Sequence, residues 1–372
     1  MLKKLIVLFA VAALLVSCSD FSTNPNVDDS GKNDAGNENP GESGYIPSSD
    51  PPDIERYLFV VNNLGETISR INVDDGTVVN NIYTTGQIPA EIHYEEDILY
   101  VVCSGDNTIQ MINIRDGSSQ SIEIGDYHNP SHMELIGSGT AAACNWESGT
   151  VTFVDLLNRS VIADISVGAG LWGMTYHDGR LYVGITNYNP ATYTYGQGRV
   201  AVIDAASRTL LDSVDVGTNP GILFVDNQNE LNTVATGDYF SVFGSVWRIN
   251  ISDNSVIGSY DIGGSPTHEV KAPNGEVYLG AGGWDTEGYV LKYDSGNENV
   301  IYSGNNPIVL SGEAGAQGAA VDNSGNIYVC CFNTDHVVKM SPSGTVLATY
   351  NVGDGPQTMV FVQYDNTLVW RP

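Results

Sequence analysis

Basic residues are scarce in this chain. Only 15 Lys and Arg stand against 44 Asp and Glu in 372 residues, a formal net charge of −29. A surface this acidic repels phosphate backbones and excludes nucleic acid as a partner. Charged residues of either sign reach only 16%, too few for long helices laced by ion pairs. The sequence has no CxxC pair, no CxxCH, no EF-hand loop and no G-x-S-x-G elbow, so it offers no signature of a zinc ribbon, attached haem, calcium loop or esterase. No cofactor is implied. After Val16 no apolar run is long enough to cross a bilayer. What is abundant is Gly (41), Tyr (20) and a 42% share of hydrophobic residues. That supply suffices for a sizeable core and has the flavour of an all-β chain.

Residues 1–17 read as an export signal: Lys3 and Lys4, then the apolar run Leu5 to Val16. Leu15-Val16-Ser17-Cys18 resembles the lipobox of bacterial lipoproteins. That resemblance implies cleavage before Cys18, lipidation of its thiol and residence in the cell envelope. Ser19 after the Cys points to the outer membrane, with contact to the membrane only through this anchor. Residues 18–53 are rich in Asn, Asp, Ser, Gly and Pro, with eight carboxylates against Lys32. Such a segment cannot bury enough apolar surface to offset its ordering entropy, so it reads as an acidic tether that lifts the folded part off the lipid.

Residues 54–372 are repetitive. Short apolar runs begin at Leu58, Leu99, Thr140, Leu181, Leu231, Val277 and Ile327. Each is followed by an alternating run ending near Asp or Asn, such as Val151-Thr152-Phe153-Val154-Asp155. A turn and a third strand follow, the latter often ending in Val-Gly or Ile-Gly. The next strand opens near a Pro: Pro89, Pro130, Pro220, Pro266 or Pro356. Four short strands per unit of about 45 residues is the spacing of a propeller blade. The fold is therefore expected to be all-β, a seven-bladed β-propeller of four-stranded antiparallel blades. The first unit lacks a first strand and the C-terminal Thr358 to Val362 supplies one, so the ring is expected to close by pairing the terminal strands. The repeats resemble those of the YVTN (YncE-like) family, strongest at Leu181-Tyr182-Val183, Val200 to Asp204 and Val216 to Pro220. The last unit, Val321 to Val329, looks more like an NHL repeat. Both resemblances imply a propeller and neither fixes a function.

Two sets of connections share one face of such a fold. The loops between second and third strands carry Trp146, Tyr188, Tyr193, Tyr195, Tyr239, Phe240 and Trp284. The links into the first strands carry Glu91, Trp172, His132, His268 and Gln317. The opposite turns are mostly Asp, Ser, Asn, Gly and Arg. Packing between blades would account for any one of these rings. Loops as long as Thr186 to Arg199 exceed what a hairpin needs, and the set together reads as a ligand-binding face. His132 and His268 fall at matching places near the channel mouth, with Glu91 and Glu269, where polar lining of a wet channel and a general-base role are both open. His128, His132 and Glu134 form H-x3-H-x-E, but a loop and a strand do not put that spacing on one face. His93, His177 and His336 read as incidental. Cys103, Cys144 and Cys331 are expected at one shared position of their second strands, as small buried residues.

Lipobox, acidic tether and YVTN-like blades together resemble the BtuG-type surface lipoproteins. The resemblance implies a non-catalytic protein that captures cobalamin and passes it to an outer-membrane transporter. A glycan fits stacking rings equally well, and the acidic surface favours a neutral or cationic ligand. Two alternatives remain at this point. One is a metal-dependent propeller enzyme of the lactonase or streptogramin-lyase type, drawing on Glu91, His132, His268 and Glu269. The other is a structural or adhesion propeller.

Overall fold

The structure, a computed structural model, describes residues 54–282 and 287–365. Cys18, the signal segment and the tether lie outside the described residues, as does Trp284. The compact unit runs from Tyr57 to Val362; residues 54–56 and 363–365 belong to a separate terminal unit.

Among the described residues all regular structure is β: seven antiparallel blades built on four strands, one of them with a fifth, and a separate two-stranded hairpin. In blade 1 the order from outside inward is Val78–Thr84, Thr67–Asn72, Ile54–Asn62 and then Pro356–Asp365 from the other end of the chain. This pairing closes the ring as expected. Closure leaves no exposed sheet edge at the ends of the array. Blades 2 to 7 start with Pro89–Glu95, Pro130–Gly137, Leu171–His177, Pro220–Val225, His268–Lys271 and Ala316–Val321. Blade 6 departs from the repeat. Its third strand, Glu287–Asp294, pairs with Asn299–Tyr302 over one half and with Ile308–Ala314 over the other.

Burial explains the strand sequences. Second strands such as Thr140–Asn145 and Glu276–Ala281 are buried after their first residue because a blade covers each face. Fourth strands such as Ser160–Ser166 and Val346–Asn351 are exposed or half-exposed throughout. The core is a set of slabs between neighbouring blades. Ala142, Cys144, Val151 and Phe153 of blade 3 pack against Leu171, Met174, Leu181 and Val183 of blade 4. Tyr278 and Val290 of blade 6 pack against Val329 and Val338 of blade 7 in the same way. The Asp or Asn ending the third strands of blades 1 to 6 closes the outer turn: Asp155 Oδ1 accepts from Asn158 N–H at 2.8 Å, and Asp204 Oδ1 from Ser207 N–H at 2.7 Å.

The four cysteines among the described residues are free and buried. Their register corrects one expectation. Cys103 opposes Pro89 and Cys331 opposes Ala316, the bulged entries of their blades, but Pro130 is opposed by Asn145. Cys144 opposes His132, one residue earlier, because blade 3 spends its last second-strand position on a side chain that bonds Thr150 and Thr152.

Candidate ligand-binding site

The first strands of blades 2, 3 and 4 enter through a β-bulge, at Pro89/Glu91, Pro130/His132 and Leu171/Met174. A bulge frees backbone groups from the ladder, and these need partners elsewhere. Two such N–H groups are met by side chains of the preceding blade. Met133 N–H donates to Glu91 Oε2 at 2.6 Å. Gly173 N–H donates to His132 Nδ1 at 3.2 Å. Glu91 and His132 hold matching positions, opposite Val102 and Cys144. Blade 4 has Gly173 there, at φ 71°. A Cβ on Gly173 would collide with the Gly221 carbonyl, so backbone contact takes over from side chains.

These bonds set the protonation of the site. Because Nδ1 of His132 accepts, its neutral ring carries the proton on Nε2, which faces Glu91 Oε1 at 4.0 Å. Burial pulls the His132 ring below the usual imidazole range, against the attraction of Glu91. Burial, with His132 nearby, pulls His268 down to about 4. Gln317 hydrogen-bonds the His268 side chain, and His268 Nδ1 has no partner within the protein. Burial pushes the Glu91 carboxyl up, but His132 and His93 bring it below the usual carboxylate range. His93 Nε2 lies 3.4 Å from Glu91 Oε2; burial pulls its ring down, and Glu91 outweighs that to raise it to about 9. Burial raises Glu134 to about 8 and Glu269 to about 7.

From His268 outward the rings form an unbroken succession. His268 and His132 are 6.2 Å apart between centroids, His132 and Trp172 5.2 Å, and Trp172 and Trp146 5.7 Å. Trp146 to Tyr188 is 5.4 Å, Tyr188 to Tyr195 5.1 Å, and Tyr195 to Tyr239 6.3 Å. Blades 3, 4, 5 and 6 all contribute. The Trp pair meets at 87° and the His132–Trp172 pair at 74°, edge-to-face packing that the ring quadrupole favours. The rings therefore form a folded wall, not a flat platform. Tyr188 is buried in it, Trp146, Trp172 and Tyr195 are half-buried, and Tyr239 is exposed.

Local chemistry fixes the loops that carry the outer rings. A two-residue hairpin, Tyr188–Asn189 against Thr194–Tyr195, pairs the two tyrosines across the strands. In blade 5, Asp238 accepts from the N–H groups of Phe240, Ser241 and Val242 at 2.7–2.9 Å and from the Ser241 hydroxyl. Those bonds hold its carboxyl well below the usual range and stiffen the turn that presents Tyr239.

Of the sequence candidates, Glu91, Trp146, Trp172, His132, His268, Gln317, Tyr188, Tyr195 and Tyr239 come together here. Tyr193 and Phe240 do not join the ring succession; they stand 61% and 87% exposed at loop tips. His93 was read as incidental and is not: it faces Glu91. The signal was available, since Glu91 and His93 are two apart on one strand and share a face, as do His132 and Glu134. His128 is drawn off to Asp164, 3.0 Å away, as the spacing of H-x3-H-x-E on loop and strand implied. Among the described residues no group of three or more His, Cys, Asp or Glu is arranged to hold a metal ion.

No protein-family model matches the chain, and no curated protein sequence does. The periplasmic gluconolactonase PpgL of Pseudomonas aeruginosa superposes with a TM-score of 0.62 at 14% identity, covering 83% of this chain and 99% of that one. A streptogramin B lyase superposes with a TM-score of 0.59 at 11% identity, covering 84% and 98%. Hydrazine synthase of Kuenenia stuttgartiensis superposes with a TM-score of 0.61 at 15% identity, covering 73% and 88%. At such identities the likeness is one of fold. The shared seven-bladed scaffold hosts lactonase and lyase enzymes among these neighbours, and the narrower YncE-like or BtuG-type relation stays a sequence resemblance.

Proposed function

We propose that this protein is a non-catalytic binding protein that takes a large, ring-bearing ligand at the channel mouth. The observation that carries the reading is the succession of seven rings from His268 to Tyr239, supplied by four blades. Rings locked against one another lose little freedom on binding, so contact area converts into affinity with small entropic cost. The acidic surface favours a neutral or cationic ligand. A cobalamin-like corrinoid is the first candidate because of the lipobox, tether and blade resemblance, and a glycan is the second. In this reading Cys18 carries the lipid, the tether displays the propeller at the outer membrane, and an outer-membrane transporter receives the ligand.

The test is titration of purified protein with cobalamin and with a glycan panel, following Trp fluorescence and calorimetric heat. Trp146 and Trp172 emission should quench, and Trp146→Ala and Trp172→Ala should each weaken binding by about tenfold or more. An absence of both quenching and heat with every one of these at micromolar ligand would overturn the reading.

A further inference from the structure

We propose that His132 is an acid-operated latch between blades 3 and 4, which holds Trp172 in the wall of rings at neutral pH and frees it on acidification. The latch stands on its own geometry; its effect on ligand retention rests on the binding reading above.

His132 Nδ1 meets Gly173 N–H at 3.2 Å as an acceptor. A proton on Nδ1 would set two donors head to head, and that bond has no imidazolium form. Its loss leaves a bulge N–H without a partner at the residue next to Trp172, whose ring already meets the His132 edge at 5.2 Å. Displacing the imidazole therefore acts directly on the ring succession.

The charged and titratable neighbours decide when this happens. From blade 2, Glu91 Oε1 faces Nε2 at 4.0 Å and favours the cation, but the carboxylate is also engaged by Met133 N–H and lies 3.4 Å from His93, whose charge opposes it. From blade 6, His268 lies 6.2 Å away with Glu269 next to it in sequence. From blade 7, Gln317 holds His268. On blade 3 itself, Cys144 lies opposite and Glu134 two residues on. With burial the leading influence, the ring stays neutral at neutral pH and takes its proton only below the ordinary imidazole range. Glu269, Glu134 and His93 titrate above that window, at about 7, 8 and 9. The His132 step is thereby separable from theirs.

The experiment is a ligand-free titration of Trp emission from about pH 7.5 to about pH 5, with His132→Asn and Trp172→Phe alongside. Asn offers an amide oxygen where Nδ1 stood and cannot take a proton. Beside any change near pH 7 from Glu269, the wild type should show one further reversible step with its midpoint below that of a free imidazole. The step should vanish in both variants. A flat wild-type titration, or the same step in His132→Asn, overturns the latch. Should the Asn variant fail to fold, hydrogen exchange at the Gly173 amide of the wild type decides: exchange should quicken about tenfold across the step, and unchanged exchange overturns the proposal. Cobalamin affinity at the two pH values is a separate arm. A loss of about tenfold at the acid end, absent from His132→Asn, supports ligand release. An open latch with no binding at either pH overturns the binding reading and leaves the latch standing.

Discussion

Thr236 Oγ1 donates to the carbonyl oxygen of Pro266 at 2.8 Å, from the end of one blade's second strand to the entry of the next blade. Asn63 Nδ2 does the same to Pro89 at 2.8 Å, and Ser104 Oγ to Pro130 at 2.5 Å. In blade 3, Ser131 Oγ reaches the Leu171 carbonyl at 3.0 Å from a neighbouring position. A short polar residue after the second strand, bonded to the Pro carbonyl that leads into the next blade, is thus a stitch that recurs at three junctions of the ring. It holds the entry loops that carry Glu91, His132 and His268.

Thr236→Val keeps shape and removes the donor, leaving the buried Pro266 carbonyl without this bond. The expected cost is about 1–3 kcal/mol, read as a lower urea midpoint at unchanged slope. Thr192→Val, at an exposed loop site, should leave the midpoint where it is. Equal midpoints for wild type and Thr236→Val would remove the stitch from the account of stability.

Gly173→Ala tests the close approach of blades 4 and 5. The residue sits at φ 71° and its Cβ would run into the Gly221 carbonyl. Strain and backbone collision combine, so a loss above about 3 kcal/mol is expected, with poor recovery of folded protein. Gly179→Ala is the control for φ alone: at φ 82° with open space around its Cβ, it should cost only about 1 kcal/mol. Similar losses in the two would show that the approach to Gly221 carries no weight.

Tyr188 joins Trp146 to Tyr195, at 5.4 Å and 5.1 Å. Tyr188→Ala should break the succession in the middle. The expected result is a red shift in Trp emission and faster hydrogen exchange across residues 189–197, at a global cost of about 1–2 kcal/mol. The hairpin lies outside the slabs between blades, so the far-ultraviolet spectrum should hold. Unchanged emission would mean that Trp146 does not depend on this ring.

The fold was legible because its information is periodic. Apolar runs at Leu58, Leu99 and Leu181, Asx residues closing outer turns, and Pro at blade entries each repeat seven-fold or nearly so, and the unpaired terminal strands named their own partners. The site was legible only where it follows the same period. Glu91, His132 and His268 could be aligned by distance from Pro89, Pro130 and Pro266, and the loop rings could be assigned to one face. What could not be read was which rings meet. Tyr195 joins Tyr188 through hairpin register and Tyr239 lies within 6.3 Å of it, whereas Phe240, one residue on, points away. His93 escaped although its partner Glu91 stands two residues away on the same strand and face, because its weight comes from burial of the pair, and Cys144 because one residue of strand register does not show in composition.

The pH dependence of stability follows from the same cluster and has two limbs. Glu134 and Glu269 are raised in the folded protein, to about 8 and about 7. Between the unfolded carboxyl value and those values the folded chain holds protons that the unfolded chain has released, so stability falls as pH rises through this range. His93, raised to about 9, adds to that limb, since its contribution is complete below the unfolded imidazole value and is lost as pH rises through 9. His132 and His268 are lowered, so below the ordinary imidazole value the unfolded chain takes protons first and stability falls as pH falls. Glu91, lowered, loses its contribution on the same acid side. The maximum should therefore lie on the mildly acidic side of neutrality. Glu134→Gln removes one buried ionisation and should flatten the alkaline limb, matching wild type only at about pH 4, below the unfolded carboxyl value, and exceeding its urea midpoint by more as pH rises to about 9. A wild-type midpoint that climbs steadily from pH 6 to pH 9, or a Glu134→Gln limb as steep as wild type, would show that these carboxyls are not held protonated in the channel.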